Sequence, residues 1–258
     1  ILASLGVTLY LRYTTPIYQT SGSLMLKTQK TTKLLGGDNE LLSSDRNEIA
    51  REIQLIRSSA IINRVLRELN FDISYYRKGR TKLISTDLYP NPPFSILDLD
   101  ITNSLIYDKN IDIKFNGDQY QLSFNINDRI FTYTYKLDQE FSNEFFSGKI
   151  VSANQNDGDV LNNFDYFFRI NSKSTLSSLI SSNTSVSPIN PRTQTLKISF
   201  KHPNTYKARD VVNALSKEFR EYDLERKQES ANNILEFLNV QIDNFTEQLN
   251  VYQDSLKE

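Results

Sequence analysis

Ile111 to Leu137 reads IDIKFNGDQYQLSFNINDRIFTYTYKL, and its period is two. Ile111, Ile113 and Phe115 alternate with polar residues and then meet Asn116-Gly117, a strong short hairpin signal. Tyr120, Leu122, Phe124 and Ile126 lead back to Asn127-Asp128, a second turn, and Phe131, Tyr133, Tyr135 and Leu137 follow. Alternation of this kind, punctuated by turn residues, predicts a meander of antiparallel strands with one apolar face. Working outward, Leu97, Leu99 and Ile101 alternate upstream, and Phe164 to Ile170 (FDYFFRI) predicts a further strand. Tyr89 to Phe94 (YPNPPF) is a rigid entrance to this β-rich stretch, because each Pro fixes its own backbone angle.

The flanks change period. Asp45 and Glu48 have capping-box spacing. Ile49, Ile53, Ile56 and Ala60 step by four, three and four, and Ile62, Leu66 and Leu69 widen the stripe before Asn70. The expectation is one amphipathic helix of about six turns. Tyr18 to Lys27 predicts a strand, and the polar stretch from Thr28 to Ser44, with Gly36-Gly37, predicts a loop. Asn171 to Arg192 is rich in Ser, Thr and Asn and holds Pro188 and Pro191, which predicts a long return loop. Thr195 to Phe200 gives a last strand, with Leu196, Ile198 and Phe200 on one face.

After Pro203 there is neither Gly nor Pro, so Asn204 to Glu258 can run about 80 Å as one helix. Its apolar residues form two stripes. Ala208, Val212, Leu215, Phe219 and Tyr222 form the first. Arg226 to Ser230 interrupts, and Leu235, Leu238, Ile242, Phe245, Leu249, Tyr252 and Leu256 then keep strict heptad spacing. Extending the first stripe by two heptads reaches Asn233 instead of Leu235, a mismatch of about 200° of helix rotation. Drift of about 20° per heptad does not close that gap. The expectation is that the first half packs on the sheet and the second half joins a coiled coil, or that the helix breaks near residue 228.

The chain has 258 residues, a net charge of −1, no Cys and a single His. These counts remove a global electrostatic case for nucleic acid, a disulfide scaffold, cysteine metal sites and any multi-His mechanism. No Gly-Lys-Ser/Thr phosphate loop is present. Asn156 to Asp159 (NDGD) lacks the spacing and closing Glu of a calcium loop, and reads as a solvated turn. Arg77-Lys78-Gly79-Arg80 beside Tyr75 and Tyr76 offers charge to an anionic glycan or lipid phosphate, with a solvated turn the better reading. His202, before Pro203, reads as a loop histidine. No catalytic constellation, metal ligand set or cofactor is expected, and the chain is not read as an enzyme.

Ile1 to Leu11 (ILASLGVTLYL) is uncharged and ends at Arg12. Eleven helical residues rise about 16 Å, roughly half a hydrocarbon core. Such a stretch is either a buried core element or the outer half of a transmembrane helix with Tyr10, Arg12 and Tyr13 at the interface, and the second reading is preferred. Together with heptads still running at Glu258, it makes the expected chain the middle of a protein anchored twice.

Two segments resemble a known family. YLRYTTPIYQTSGSLMLK, with Pro16 and Tyr18, resembles the start of the Wzz-type chain-length determinants, or polysaccharide co-polymerases, where a Pro-x-Tyr strand leaves the first transmembrane helix. The stretch from Leu196 through Ile242 resembles that family's strand, Pro-containing turn and helix, with Pro203, Ala208, Asn213, Ala214 and Leu215 at the motif positions. The long helix that follows looks like that of the kinase-linked, Wzc-like branch. The resemblance covers residues 1–70 and 193–258 and implies an α+β fold. Residues 1–13 would end the first transmembrane helix. Residues 14–70 and 193–228 would form a membrane-proximal α/β base. Residues 71–192 would be an inserted antiparallel β-rich unit with its Ser-rich return loop, and residues 229–258 would begin a coiled-coil helix. It further implies a bacterial inner-membrane protein whose periplasmic region this is. It implies a ring-like homo-oligomer that works with a polysaccharide polymerase and export machinery to set chain length. No nucleic acid partner is implied, and any tyrosine kinase would lie outside this chain. Two other readings stay open: a periplasmic adaptor of an efflux or secretion system, and a ligand-sensing receptor ectodomain.

Overall fold

A computed structural model describes residues 16–26, 39–79, 85–153, 161–190 and 194–255. The fold is α+β, with antiparallel sheets and a long C-terminal helix. Contacts divide the chain into two units, Ile1–Leu215 and Ser216–Glu258.

The meander forms as its alternation dictates. Strands β5 (Asn110–Asn116), β6 (Gln119–Ile126) and β7 (Arg129–Lys136) pair in sequence. Every second side chain of β5 and β6 is buried, from Ile111 to Ile126. The first loop is Gly117-Asp118, because Asn116 pairs with Gln119. Gly117 takes φ +63°, at the position where a type II′ turn needs Gly. Asn127 and Asp128 are both at positive φ, as a type I′ turn requires. These strands continue a six-stranded sheet that includes β2 (Ile73–Lys78), β3 (Ser85–Asp87) and β10 (Tyr166–Ile170) in the order β3-β2-β10-β5-β6-β7.

A second sheet shares its core. It contains β4 (Phe94–Ile101), β8 (Glu140–Ser142) and β9 (Phe146–Ser152), ordered β4-β9-β8. Here the expected alternation of Leu97, Leu99 and Ile101 fails. A register shift between Leu97 and Asp100, with Asp98 at φ +50°, moves the frame by one. Leu97 is therefore 46% exposed, while Phe94 and Ile96 before the bulge and Leu99 and Ile101 after it face the core.

The third sheet joins distant parts of the chain. β1 (Tyr18–Met25) and β11 (Thr184–Asn190) flank β12 (Thr195–His202). The single helix expected from Asp45 to Asn70 is two: α1 (Asn39–Ile56) and α2 (Ser59–Glu68). α1 starts six residues ahead of Asp45, inside the stretch expected to be a loop, so Asp45 is an interior residue and not a cap. The break lies at Ser58, which is extended and accepts the Ile61 amide on its hydroxyl, an N-cap placed where Ser-Ser interrupts the pattern. Ala60, placed on the buried stripe, is exposed; Ile61, Ile62 and Val65 form that face instead.

The expected return loop from Asn171 to Arg192 is also corrected. It folds as α3 (Lys173–Asn183) followed by β11. Ser172 caps α3 by accepting the Thr175 amide, and Leu176 and Ile180, one turn apart, bury its inner side against α2 and β12. β11 is an outer strand, so Pro188 costs the ladder no central hydrogen bond.

α4 (Thr205–Ser255) runs 51 residues without the break considered near residue 228. In the first unit it buries Ala208, Val211, Val212, Ala214 and Leu215. In the second unit Asp223 bonds Arg226 and Lys227, one turn on, along the helix surface. Among the described residues no helix is long and apolar enough to cross a membrane. The readings of Ile1 to Tyr13 and of Asn156 to Asp159 lie outside the described residues, as do Arg80, Leu256 and the side chain of Tyr252.

Candidate functional site

Four of the residues singled out from sequence, Pro16, Tyr18, His202 and Pro203, lie at or next to the same end of the third sheet. Tyr18 opens β1 directly opposite His202, the last residue of β12. Pro16 precedes β1 and Pro203 follows β12, both exposed. Ala208, Ala214 and Leu215 are buried on α4, and Asn213 is exposed beside them. His202 is a strand residue, not a loop residue, and its ring stacks on Phe200.

The start of α4 is fixed by Asn204. Its side-chain oxygen accepts the amides of Tyr206 and Lys207, while its side-chain nitrogen donates to the Tyr89 carbonyl at 2.8 Å. One residue therefore caps the helix and ties it to the segment after β3. Lys207, one turn in, points into the joint between β2, β3 and α4. Its ammonium lies 2.7 Å from Asp87 Oδ2, with side chains only 7% and 10% exposed, and 3.3 Å from Ser74 Oγ. The rings of Phe71, Tyr76 and Tyr89 stand 5.4–5.9 Å from it. Asp87 Oδ1 accepts the Tyr89 amide, so both carboxylate oxygens are used. Asn171 donates to the Phe71 carbonyl and to Ser74 Oγ, completing the network. Burial, and then the hydrogen bond to Asp210, push the Tyr89 phenol up to about 12, so it stays a donor.

Beside Lys207 is a pocket of about 170 Å³. Its lining includes the polar Ser74, Asn171, Thr175 and His202 and the apolar Leu176 and Phe200. Ligand sites usually run from about 300 to 1,000 Å³, so this space suits a few waters better than an organic ligand. The ammonium is matched by a carboxylate. Chemically the arrangement is a latch between a helix and a sheet. The signal for Lys207 was present in the sequence: Val211 and Ala214 stand four and seven residues after it, on one helix face. Its charge hid the stripe.

The tyrosines and cations of β2 are also engaged. Tyr75 accepts the Ile96 amide, Tyr76 stacks on Phe167, Arg77 lies over Phe164, and Lys78 pairs with Asp112. Among the described residues no group of His, Asp and Glu is placed to hold a metal ion.

His202 makes the latch pH-sensitive. Its Nδ1 lies 3.0 Å from the Asn204 amide nitrogen and 3.3 Å from the Asn204 carbonyl oxygen. Burial, and then the Lys207 charge, hold its pKa below the ordinary 6.5. The unfolded chain then takes up a proton first as pH falls through about 6.5, so this residue lowers stability in acid and contributes nothing above neutrality. Urea unfolding of the chain and of His202→Gln should differ by a constant above pH 7. The difference should move in favour of the variant between pH 6.5 and 5, and a flat difference would rule the effect out.

No protein-family model matches the chain, and no curated protein matches it.

Proposed function

We propose that the chain is the periplasmic region of an inner-membrane polysaccharide co-polymerase, which assembles with copies of itself and sets the length of an exported polysaccharide. The observation that carries this reading is the pairing of β1 with β12. It sets Tyr18 opposite His202 and Met25 opposite Thr195, so strands from the two segments that resemble the family are neighbours in one sheet. α4 follows β12 and packs through Ala208, Ala214 and Leu215, the small and apolar motif positions. In this reading β1, α1, α2, β12 and the start of α4 form the membrane-proximal base. The β-rich body between them is an insertion, and the rest of α4 enters a coiled coil. The part is structural: copies stand side by side on the membrane, and their packing biases how far the polymerase extends a chain. Catalysis belongs to the polymerase and export machinery.

The test is deletion of the gene in the producing bacterium, with surface polysaccharide resolved by size on a gel. A changed length distribution, restored by the intact gene, is expected. An unchanged distribution would refute the reading.

A further inference from the structure

The chain contains one Asn-Gly pair, Asn116-Gly117, and it lies where β5 turns into β6. In such a pair the backbone nitrogen of the glycine can attack the asparagine side chain, because no β-carbon shields it. The surroundings leave room for that reaction. Asn116 is exposed, and no atom beyond the chain neighbours lies within 4 Å of the place a β-carbon on Gly117 would take. Yet the attacking nitrogen must first lose its proton, and that proton is engaged. The Gly117 amide donates to Asn162 Oδ1 at 3.3 Å, across 45 residues of sequence. Asn162 is itself exposed, but it follows Leu161, which is 2% exposed and packs in the core shared by the two sheets. The acceptor is therefore carried on an anchored backbone. Asn116 also closes the ladder opposite Gln119 in extended conformation, and ring closure needs it to rotate away.

We propose that Asn116 is a site of spontaneous deamidation, and that the Asn162 side chain holds the reaction off in the folded protein. The step needs water alone. The Gly117 nitrogen loses its proton to solvent and bonds to Asn116 Cγ; the Cγ–Nδ2 bond breaks and ammonia leaves. One water then opens the cyclic imide. Opening at Cγ gives an aspartate in an otherwise unaltered chain. Opening at the main-chain carbonyl gives an isoaspartate, which carries the backbone through its side chain and lengthens it by one carbon. That carbon falls directly before a two-residue loop. The closing pair with Gln119 would then no longer match the loop that sets the register of β5 on β6. The contact with Asn162 thus governs how long the central hairpin keeps its own chemistry. The inference is independent of the function proposed above.

Trypsin releases residues 115–129 as one peptide, which carries Asn116 together with Asn127 as an internal comparison. The chain is incubated at mildly alkaline pH, folded or in urea, and this peptide is followed by fragmentation mass spectrometry. Asn116 should convert fast in urea and slowly in the folded chain. Asn162→Ala should speed the folded conversion about three- to tenfold, the factor that one hydrogen bond of ordinary strength makes in a rate. Asn162→Asp keeps an acceptor and should match the parent. Asn127, in the other turn of the meander, should be unchanged by either variant. Equal rates for the parent and Asn162→Ala would overturn the proposal, as would equal rates for the parent in urea and folded. So would an Asn162→Asp variant as fast as Asn162→Ala. An equal rise at Asn127 would also overturn it, by assigning the change to fraying of the whole sheet.

Discussion

Asp87→Ala is expected to destabilise the first unit by about 3–5 kcal/mol, because it leaves the Lys207 ammonium buried without its counter-charge. Among the described residues Asp87 is the carboxylate that pairs with Lys207. Ser74 Oγ is a neutral partner already shared with Asn171, and the three rings offer only their faces. Asp87 also accepts the Tyr89 amide, so its loss frees the segment that Asn204 grips. Removing both charges is a different experiment. Asp87→Asn with Lys207→Met should recover most of the loss, since a buried pair stabilises little beyond an apolar pair of similar volume. Urea unfolding of the single and double variants measures this directly. A single variant within about 1 kcal/mol of the parent would show that water reaches the ammonium and that the latch is not closed.

Phe94→Ala is expected to cost about 3–5 kcal/mol, for a different reason. Phe94 is fully buried where β4 begins, and it meets Tyr75 and Phe115 edge-on at 5.2 Å and Tyr166 at 5.7 Å. Those three rings belong to the six-stranded sheet, so this side chain packs one sheet onto the other. Truncation removes the transfer energy of the ring and leaves a cavity that aromatic neighbours on fixed strands cannot fill. Phe94→Leu should cost about 1.5 kcal/mol or less, because much of the volume is kept. The urea midpoint should fall with the slope unchanged. Equal losses for Ala and Leu would point to the backbone entrance at Pro92 and Pro93 as the cause, not to packing.

The meander was legible because nothing competed with it. Alternation, Gly117 and the Asn127-Asp128 turn all favour the same pairing, so local and tertiary preferences agree. Leu97 misled because a bulge adds one residue without leaving a Gly or Pro to mark it; Asp98 takes the strained position. The stretch after Asn171 misled for the opposite reason. Its Ser and Thr residues favour turns locally, and only the cover given to Leu176 and Ile180, with the neighbouring β12, makes a helix and a strand of them. The helix break at Ser58 was written in the sequence as Ser-Ser, but the isoleucine stripe ran across it. Of the candidate site, the latch was missed. A buried Lys and a solvated Lys look alike until their neighbours in space are known.

The third sheet also sets an order of events. Ser21 and Ser199 share a hydrogen bond across β1 and β12 although 178 residues separate them. The hairpins of the meander close two-residue loops and need wait for nothing. Once they and β10 are in place, the Asn171 amide bonds the Asp72 carbonyl, which brings the far side of the chain back to where it left. That shortcut more than halves the loop that β1 and β12 must close, and lowers its entropic cost by roughly 0.6 kcal/mol or a little more. The central body thus acts as a guide for the sheet that brackets it. β1, synthesised early and paired late, spends that interval as a bare edge. Its run from Gln19 to Ser23 is polar or Gly throughout, a composition that lets a strand wait in water without finding the wrong neighbour.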